Sequence, residues 1–396
     1  MKKKILCVSN SAWNFFNYRL HVLELLKDEY TIHLAAPYDH YTGKLPFAFS
    51  SIYLNPKNKN FVFEILTVFS LFRAIRRIRP DVIIFYTIKP SAYGPPLARL
   101  LRIPCIAIIT GLGSGFTSRG WTSAIVFCIL RSSLRFTQYS VYHNRADARF
   151  FSWKGGESRS KQIVHPGSGV DTDYFCPKKT DDTDFFSFSN KSSAQYSSTK
   201  HNSRPFIFLF CGRLLRYKGI CELSECIADL VRQGYHTELH ILGAVECSNP
   251  SALHPHDLAA ITALPGITHW PRTDDVRPFL RAADCIVLPT GYREGLPRAI
   301  LEASSCGKPV ITTRISGCRH AVIDGVTGLL FRSGDWPALR ECCLTMYHMP
   351  EEKRNAMGAA GRKFVMDKFN VHIVADSYRR MIKGCINGRG RGNENF

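Results

Sequence analysis

Two carboxylates, Glu294 and Glu302, stand eight residues apart in the segment Gly291-Tyr-Arg-Glu294-Gly295-Leu296-Pro297-Arg-Ala-Ile-Leu-Glu302. Upstream, Asp284-Cys-Ile-Val-Leu-Pro289 reads as a short buried strand; downstream, Lys308-Pro-Val-Ile-Thr-Thr313 reads as another. Pro297 suits the first turn of a helix between them, where its missing N–H costs nothing. Glu294 then sits in the loop facing the helix N-terminus, and Glu302 one to two turns inside. The free N–H groups and partial positive charge of a helix N-terminus suit a phosphate, and a carboxylate on either side can hold sugar hydroxyls. The combination asks for a nucleotide sugar. Glutamates at this spacing also occur by chance on solvated helix faces. Here they sit in a strand–loop–helix–strand unit, where ligands bind beyond the carboxyl ends of the strands.

A second block lies about eighty residues earlier: Phe206-Ile-Phe-Leu-Phe-Cys-Gly212-Arg213-Leu-Leu-Arg-Tyr-Lys218-Gly219. The two blocks together resemble the Glu-x7-Glu and Gly-Arg…Lys-Gly motifs of retaining glycosyltransferases with the GT-B fold, family four in particular. The resemblance implies that Arg213 and Lys218 clamp the donor diphosphate, beside Gly212. Fixed cations there stabilise the charge gained by a departing nucleotide diphosphate without a metal. It also implies that Glu294 contacts the transferred sugar, Glu302 the ribose, and Gly295, Leu296 and Pro297 the sugar and phosphate. Asn10-Ser-Ala-Trp-Asn14, Tyr18-Arg19, Tyr86-Thr-Ile-Lys89-Pro and Thr110-Gly111-Leu-Gly113 look like a branch that builds bacterial surface glycans on a lipid carrier. Asn14, Arg19, Lys89, Gly111 and Gly113 are its acceptor-side candidates. Two departures stand out. The position where many family members carry a histidine after a first-domain strand holds Thr110-Gly111, and the usual Pro-Gly-Cys-Arg-Glu becomes Ser316-Gly317-Cys318-Arg319-His320.

A chain of 396 residues is long for one domain and natural for two. Strands alternate with helical stretches throughout, which argues for parallel sheets. The resemblance implies an α/β fold of two Rossmann-like doubly wound domains facing a cleft. Expected boundaries are 1–177 for an acceptor domain, 178–204 for a flexible Ser/Thr/Asn/Asp/Lys-rich insertion, and 205–359 for a nucleotide-sugar domain. Residues 360–396 would form a helix crossing back to the first domain, with a disordered tail. A short amphipathic helix is expected from Arg19 to Lys27.

Net charge is +20, of which residues 1–177 carry +13. Arg73, Arg76, Arg77 and Arg79 end a strongly apolar helix, and Arg131 and Arg135 end a second one. Basic amphipathic surfaces of this kind attract anionic membranes. A buried helix with a basic solvated end explains each helix equally well. No segment has the roughly twenty uninterrupted apolar residues of a membrane span, and Met1-Lys-Lys-Lys leads straight into a strand, unlike a signal peptide. The expectation is a cytoplasmic enzyme held peripherally at the inner membrane face, with a UDP-sugar donor and a polyprenyl-diphosphate-linked sugar acceptor.

Fourteen cysteines are scattered without a Cys-x2-Cys pair and read as free thiols in a reducing compartment. His236 and His240 have zinc-like spacing but fall on an alternating strand, and are taken as structural. Asp171-Thr-Asp173 and Asp182-Thr-Asp184 match an Asp-x-Asp metal motif outside any nucleotide pocket. No metal or other cofactor is expected. Two rival classes are a GT-B UDP-N-acetylhexosamine epimerase and a nucleic-acid-binding protein; the paired motifs oppose the first, and the lack of a recognised module opposes the second.

Overall fold

The computed structural model describes residues 2–55, 61–111, 121–153, 162–177, 204–245, 251–291 and 295–388. By its contacts the chain divides into two compact units. The first comprises Met1–Gly169, Arg293–Leu296 and Phe369–Phe396; the second comprises Val170–Tyr292 and Pro297–Lys368.

The first unit is built on seven strands: β1 (Lys3–Val8), β2 (Tyr30–Ala36), β3 (Ala48–Ser51), β4 (Val82–Tyr86), β5 (Cys105–Ile109), β6 (Tyr139–Tyr142) and β7 (Gln162–Val164). All pair in parallel, in the order β3-β2-β1-β4-β5-β6-β7. Strands β4 and β5 are buried at every position, as expected when helices cover both faces. Successive side chains face opposite ways, so two cores form. Ile5, Cys7, Ile84 and Tyr86 pack with Phe15, Leu23, Val374, Tyr378 and Ile382. Leu6, Val8, Ile83 and Phe85 pack with Leu71, Ile75 and Ala98.

The second unit repeats the plan with six strands: β8 (Phe206–Cys211), β9 (Thr237–Leu242), β10 (Ile267–Trp270), β11 (Cys285–Leu288), β12 (Val310–Thr313) and β13 (Gly328–Phe331). These are also all parallel, ordered β10-β9-β8-β11-β12-β13. In each sheet the order reverses once, between β1 and β4 in the first and between β8 and β11 in the second. Such switch points open a crevice at the carboxyl ends of the strands.

The helix expected from Arg19 instead starts earlier and breaks there. Helix α1 (Ala12–Tyr18) is capped by Ser11, whose Oγ accepts the Asn14 N–H at 3.2 Å, and α2 (Leu20–Glu24) follows after Arg19 as the junction. Two long helices end the chain. Helix α13 (Glu351–Phe369) stays with the second unit up to Lys368. Asn370 then caps α14 (Val371–Ile386), its Oδ1 accepting the His372 N–H at 2.8 Å. Val374, Tyr378, Met381 and Ile382 of α14 bury themselves in the first unit. His240 lies on β9, accepting from the Trp270 indole at 3.3 Å and bonded to Glu238 at 3.0 Å, a structural role. Asp171 Oδ1 accepts the N–H groups of Asp173 and Tyr174 and shapes a turn. Asp182 and Asp184 lie outside the described residues, and the described cysteines are all free thiols.

Helix α4 (Ile88–Leu100) approaches β4 so closely that a Cβ on Gly94 would lie 2.2 Å from the Phe85 ring. Alanine at a helix position gains up to about 1 kcal/mol over glycine, but overpacking a fully buried ring costs about 1–3 kcal/mol. Gly94→Ala is therefore expected to lower the thermal unfolding temperature of the protein, and Phe85→Leu in the same chain to restore part of the loss. An unchanged or raised Tm in the single variant would show that α4 can move away from the sheet.

Candidate functional site

The second unit's switch point collects the motif residues. Strand β8 ends at Cys211, and the chain turns through Gly212 at φ +157°. A one-turn 3₁₀ segment (Arg216–Lys218) then leads through Gly219, at φ +73°, into α7 (Ile220–Arg232). Gly219 is required twice over: its φ is left-handed, and a Cβ would come within 2.5 Å of the Pro289 carbonyl oxygen. The loop after β8 is thus pressed against the loop after β11, and the Gly291 N–H donates to the Tyr217 carbonyl at 2.9 Å. Lys218 folds back along this loop, its Nζ 3.6 Å from where a Gly212 Cβ would stand. Arg213 is exposed beside it.

Helix α10 (Arg298–Ser305) follows, and Pro297 is its N-cap residue rather than its first helical one, in extended conformation. Glu302 lies one turn in and is paired with Arg298, four residues earlier, at 2.6 Å. Burial pushes the Glu302 carboxyl above its ordinary range, and the Arg298 guanidinium opposes that rise. Burial also pushes the Cys211 thiol up to about 12, with the Glu302 charge adding to the rise and Lys218 opposing it. One anion and one cation therefore flank the carboxyl end of β8. Such a site can hold a hydroxyl-bearing group on one side and a phosphate on the other.

Glu294 and Gly113 lie outside the described residues. Gly295 and Leu296 group with the first unit, where Asn144 Nδ2 donates to the Gly295 carbonyl at 3.1 Å. A Cβ on Gly295 would fall 2.0 Å from the Thr110 carbonyl oxygen, so only glycine fits. Among the acceptor-side candidates, Asn14 is on α1 and Arg19 at its end, both buried. Gly111 follows β5. Lys89 is held by Glu64 at 2.5 Å and by the Asn55 carbonyl at 2.8 Å. No group of three or more His, Cys, Asp or Glu side chains among the described residues is arranged to hold a metal ion.

Residues 4–144 match the glycosyl transferase 4-like family model and residues 193–364 the glycosyl transferases group 1 model. The chain belongs to the family-four-like glycosyltransferases. It is 24% identical, over 96% of its length and 98% of the relative's, to a Campylobacter jejuni enzyme, N,N'-diacetylbacillosaminyl-diphospho-undecaprenol alpha-1,3-N-acetylgalactosaminyltransferase. It is also 29% identical to the Staphylococcus aureus capsular polysaccharide biosynthesis glycosyltransferase CapM, over 48% of the chain and 49% of CapM. Among solved structures, Anabaena HepE in complex with UDP and glucose superposes with a TM-score of 0.79 at 15% identity, covering 96% of this chain and all of HepE. Sucrose-phosphate synthase from Thermosynechococcus elongatus also reaches 0.79, at 17% identity, over 98% of this chain and all of that one. These superpositions establish the GT-B fold.

Sequence reasoning missed Arg298 in this glycosyltransferase, although its spacing from Glu302 was a usable signal: residues four apart on a helix meet. Because the folded-state pKa of Glu302 is raised above the ordinary 4.5, ionising it costs stability as pH rises through that window. Removing Arg298 raises the pKa further and enlarges the cost. Arg298→Met is thus expected to destabilise the second unit by about 2 kcal/mol or more at pH 7.5, and much less at pH 4.5, in paired thermal melts. Equal losses at both pH values would show that Arg298 does not hold the Glu302 charge.

Proposed function

We propose that this glycosyltransferase moves a hexose or N-acetylhexosamine from a UDP-sugar to a lipid-diphosphate-linked sugar, with retention at the anomeric carbon, for surface polysaccharide synthesis. The observation that carries the reading is that a lysine and a carboxylate both act on the end of β8 at the β8/β11 switch point. Lys218 folds back on Gly212 there, and the Glu302 charge is felt by Cys211 at the same strand end. In this role Arg213 and Lys218 take the charge that develops on the departing UDP, which would let transfer proceed without a metal. Glu302 holds the ribose hydroxyls and Glu294 the transferred sugar. The donor class draws support from HepE, solved with UDP and glucose, and the acceptor class from the Campylobacter enzyme, whose name describes a diphospho-undecaprenol substrate.

The test is UDP release in EDTA from a panel of UDP-sugars, each with and without a polyprenyl-diphosphate sugar. Acceptor-dependent release is expected, with the product's anomeric configuration by NMR matching the donor's. Lys218→Ala should lower kcat by about 10²–10³-fold without changing the melting temperature, and Glu294→Gln should abolish transfer. UDP-sugar conversion without acceptor would favour the epimerase reading, and full activity of both variants would remove these residues from the site.

Membrane association of the first unit is part of the same proposal. On α3 (Phe61–Ile78) the solvated stripe begins with Phe63, Ile65, Leu66 and Phe69, the last 62% exposed, and ends with Arg73, Arg76 and Arg77. A solvated stripe that is apolar for two turns and then basic fits an anionic bilayer surface. On α5 (Trp121–Leu134) Ile125 and Ile129 are similarly exposed. No helix among the described residues is long and apolar enough to cross a membrane. Phe69→Ser with Arg73→Ser is expected to reduce co-sedimentation with anionic vesicles about tenfold or more, at roughly 1 kcal/mol per cation plus the lost apolar burial. Undiminished binding would move the contact elsewhere.

A further inference from the structure

The first unit has a switch point of its own, between β1 and β4, and a guanidinium is buried there. Arg19 interrupts the helix that follows β1 and is 3% exposed. Its Cζ lies 4.7 Å above the ring of Tyr86, the last residue of β4. Tyr378 of α14 is alongside, its ring 6.5 Å from that of Tyr86, and its hydroxyl lies beside the guanidinium. Among the described residues, two of the Arg19 nitrogens, Nε and Nη1, have no hydrogen-bond partner and no carboxylate forms an ion pair with Arg19. The cation–π contact offsets part of this cost. A buried arginine nevertheless calls for an anion, because desolvating a charge without a partner is strongly unfavourable.

Two further polar atoms nearby in the fold, Asn14 Oδ1 on α1 and Thr87 Oγ1, are buried and unpartnered among the described residues, and the Tyr86 hydroxyl faces only the Tyr378 hydroxyl and the Cys7 thiol. Thr87 also holds φ +70°, which a β-branched residue adopts only under constraint from its surroundings. Such outliers cluster at ligand clamps. Strain, a cation without a carboxylate among the described residues, and an unsatisfied hydroxyl and amide oxygen thus coincide where open α/β sheets bind ligands.

We infer that Arg19, with Asn14, Tyr86 and Thr87 around it, forms a binding site for a diphosphate-type oxyanion at the β1/β4 switch point of the first unit. The guanidinium meets the phosphate oxygens through its N–H groups, and the Tyr86 and Thr87 hydroxyls are positioned to donate to the same anion. The site stands on these residues alone. Only its assignment to the acceptor's diphosphate rests on the function proposed above.

The experiment compares wild type, Arg19→Met and Lys218→Ala by thermal unfolding at fixed ionic strength, with inorganic pyrophosphate, UDP and geranyl diphosphate as probes. Methionine keeps the apolar packing on Tyr86 and removes the charge. Arg19→Met without ligand is expected to melt at or above the wild-type temperature, since an uncompensated buried cation has gone. It should also bind the diphosphate probe about tenfold more weakly or worse, while Lys218→Ala keeps the Arg19-dependent response. Loss confined to geranyl diphosphate assigns the site to a lipid diphosphate, and loss confined to UDP assigns it to the nucleotide. A ligand-free Arg19→Met that melts well below wild type would make Arg19 a structural residue and overturn the inference. So would probe affinities that Arg19→Met leaves unchanged. If the diphosphate response depends on Arg19 but no lipid-linked acceptor supports transfer, the site stands and the acceptor assignment falls.

Discussion

A parallel sheet covered by helices on both faces has only its strand ends left for chemistry. That constraint governs both units here. Strands β4, β5 and β11 are buried along their full length, so no side chain within these central strands meets solvent. What remains accessible is the edge where the carboxyl ends of the strands hand over to loops, and the order reversal in each sheet opens that edge at one place. Gly212, Lys218 and Glu302 gather at one reversal, and Asn14, Arg19 and Thr87 at the other. The chemistry is concentrated because the packing leaves it nowhere else to go.

The way charge is handled separates scaffold from site. Arg204 grips Asp284 through two 2.7 Å bonds while Asp284 also accepts the Ile207 N–H, which ties the start of β8 to the start of β11. Arg379 of α14 reaches Glu29 and the Leu25 carbonyl and anchors the last helix beside α2. These pairs lie at the amino ends of strands or on the rim, where an arginine that finds a carboxylate serves the fold. Arg19 lies at a carboxyl end, is more deeply buried than either, and has found none among the described residues. Exposed pairs contribute little to stability, whereas an uncompensated buried cation is costly enough to require a reason.

Much of this was legible in the chain itself. Alternating strand and helix signals, read with the Gly-Arg…Lys-Gly and Glu-x7-Glu blocks, led to two α/β domains built on parallel sheets, because apolar strand runs and glycine loops are local patterns. Local rules also misled. Pro297 took the capping position, since its preferred φ fits either place. The helix after β1 began at Ala12, where Ser11 supplied a cap that the Asn-Phe-Phe-Asn composition concealed. Lys89, an acceptor-side candidate by its place in the sequence, is paired with Glu64, twenty-five residues earlier, a contact that no local pattern announces.

The sequence by itself determined the residue types: a Gly-Arg-to-Lys-Gly loop after an apolar strand, carboxylates at a helix start, and a basic, aromatic first half. Tertiary structure alone decided which of those charges are compensated. Arg19 meets Tyr86, 67 positions away, because β4 pairs with β1, and Tyr378, 359 positions away, only because α14 returns to cover the first sheet. Whether a guanidinium keeps its water, gains a carboxylate or is buried without one depends on that long-range packing, and desolvation leaves no mark in local sequence.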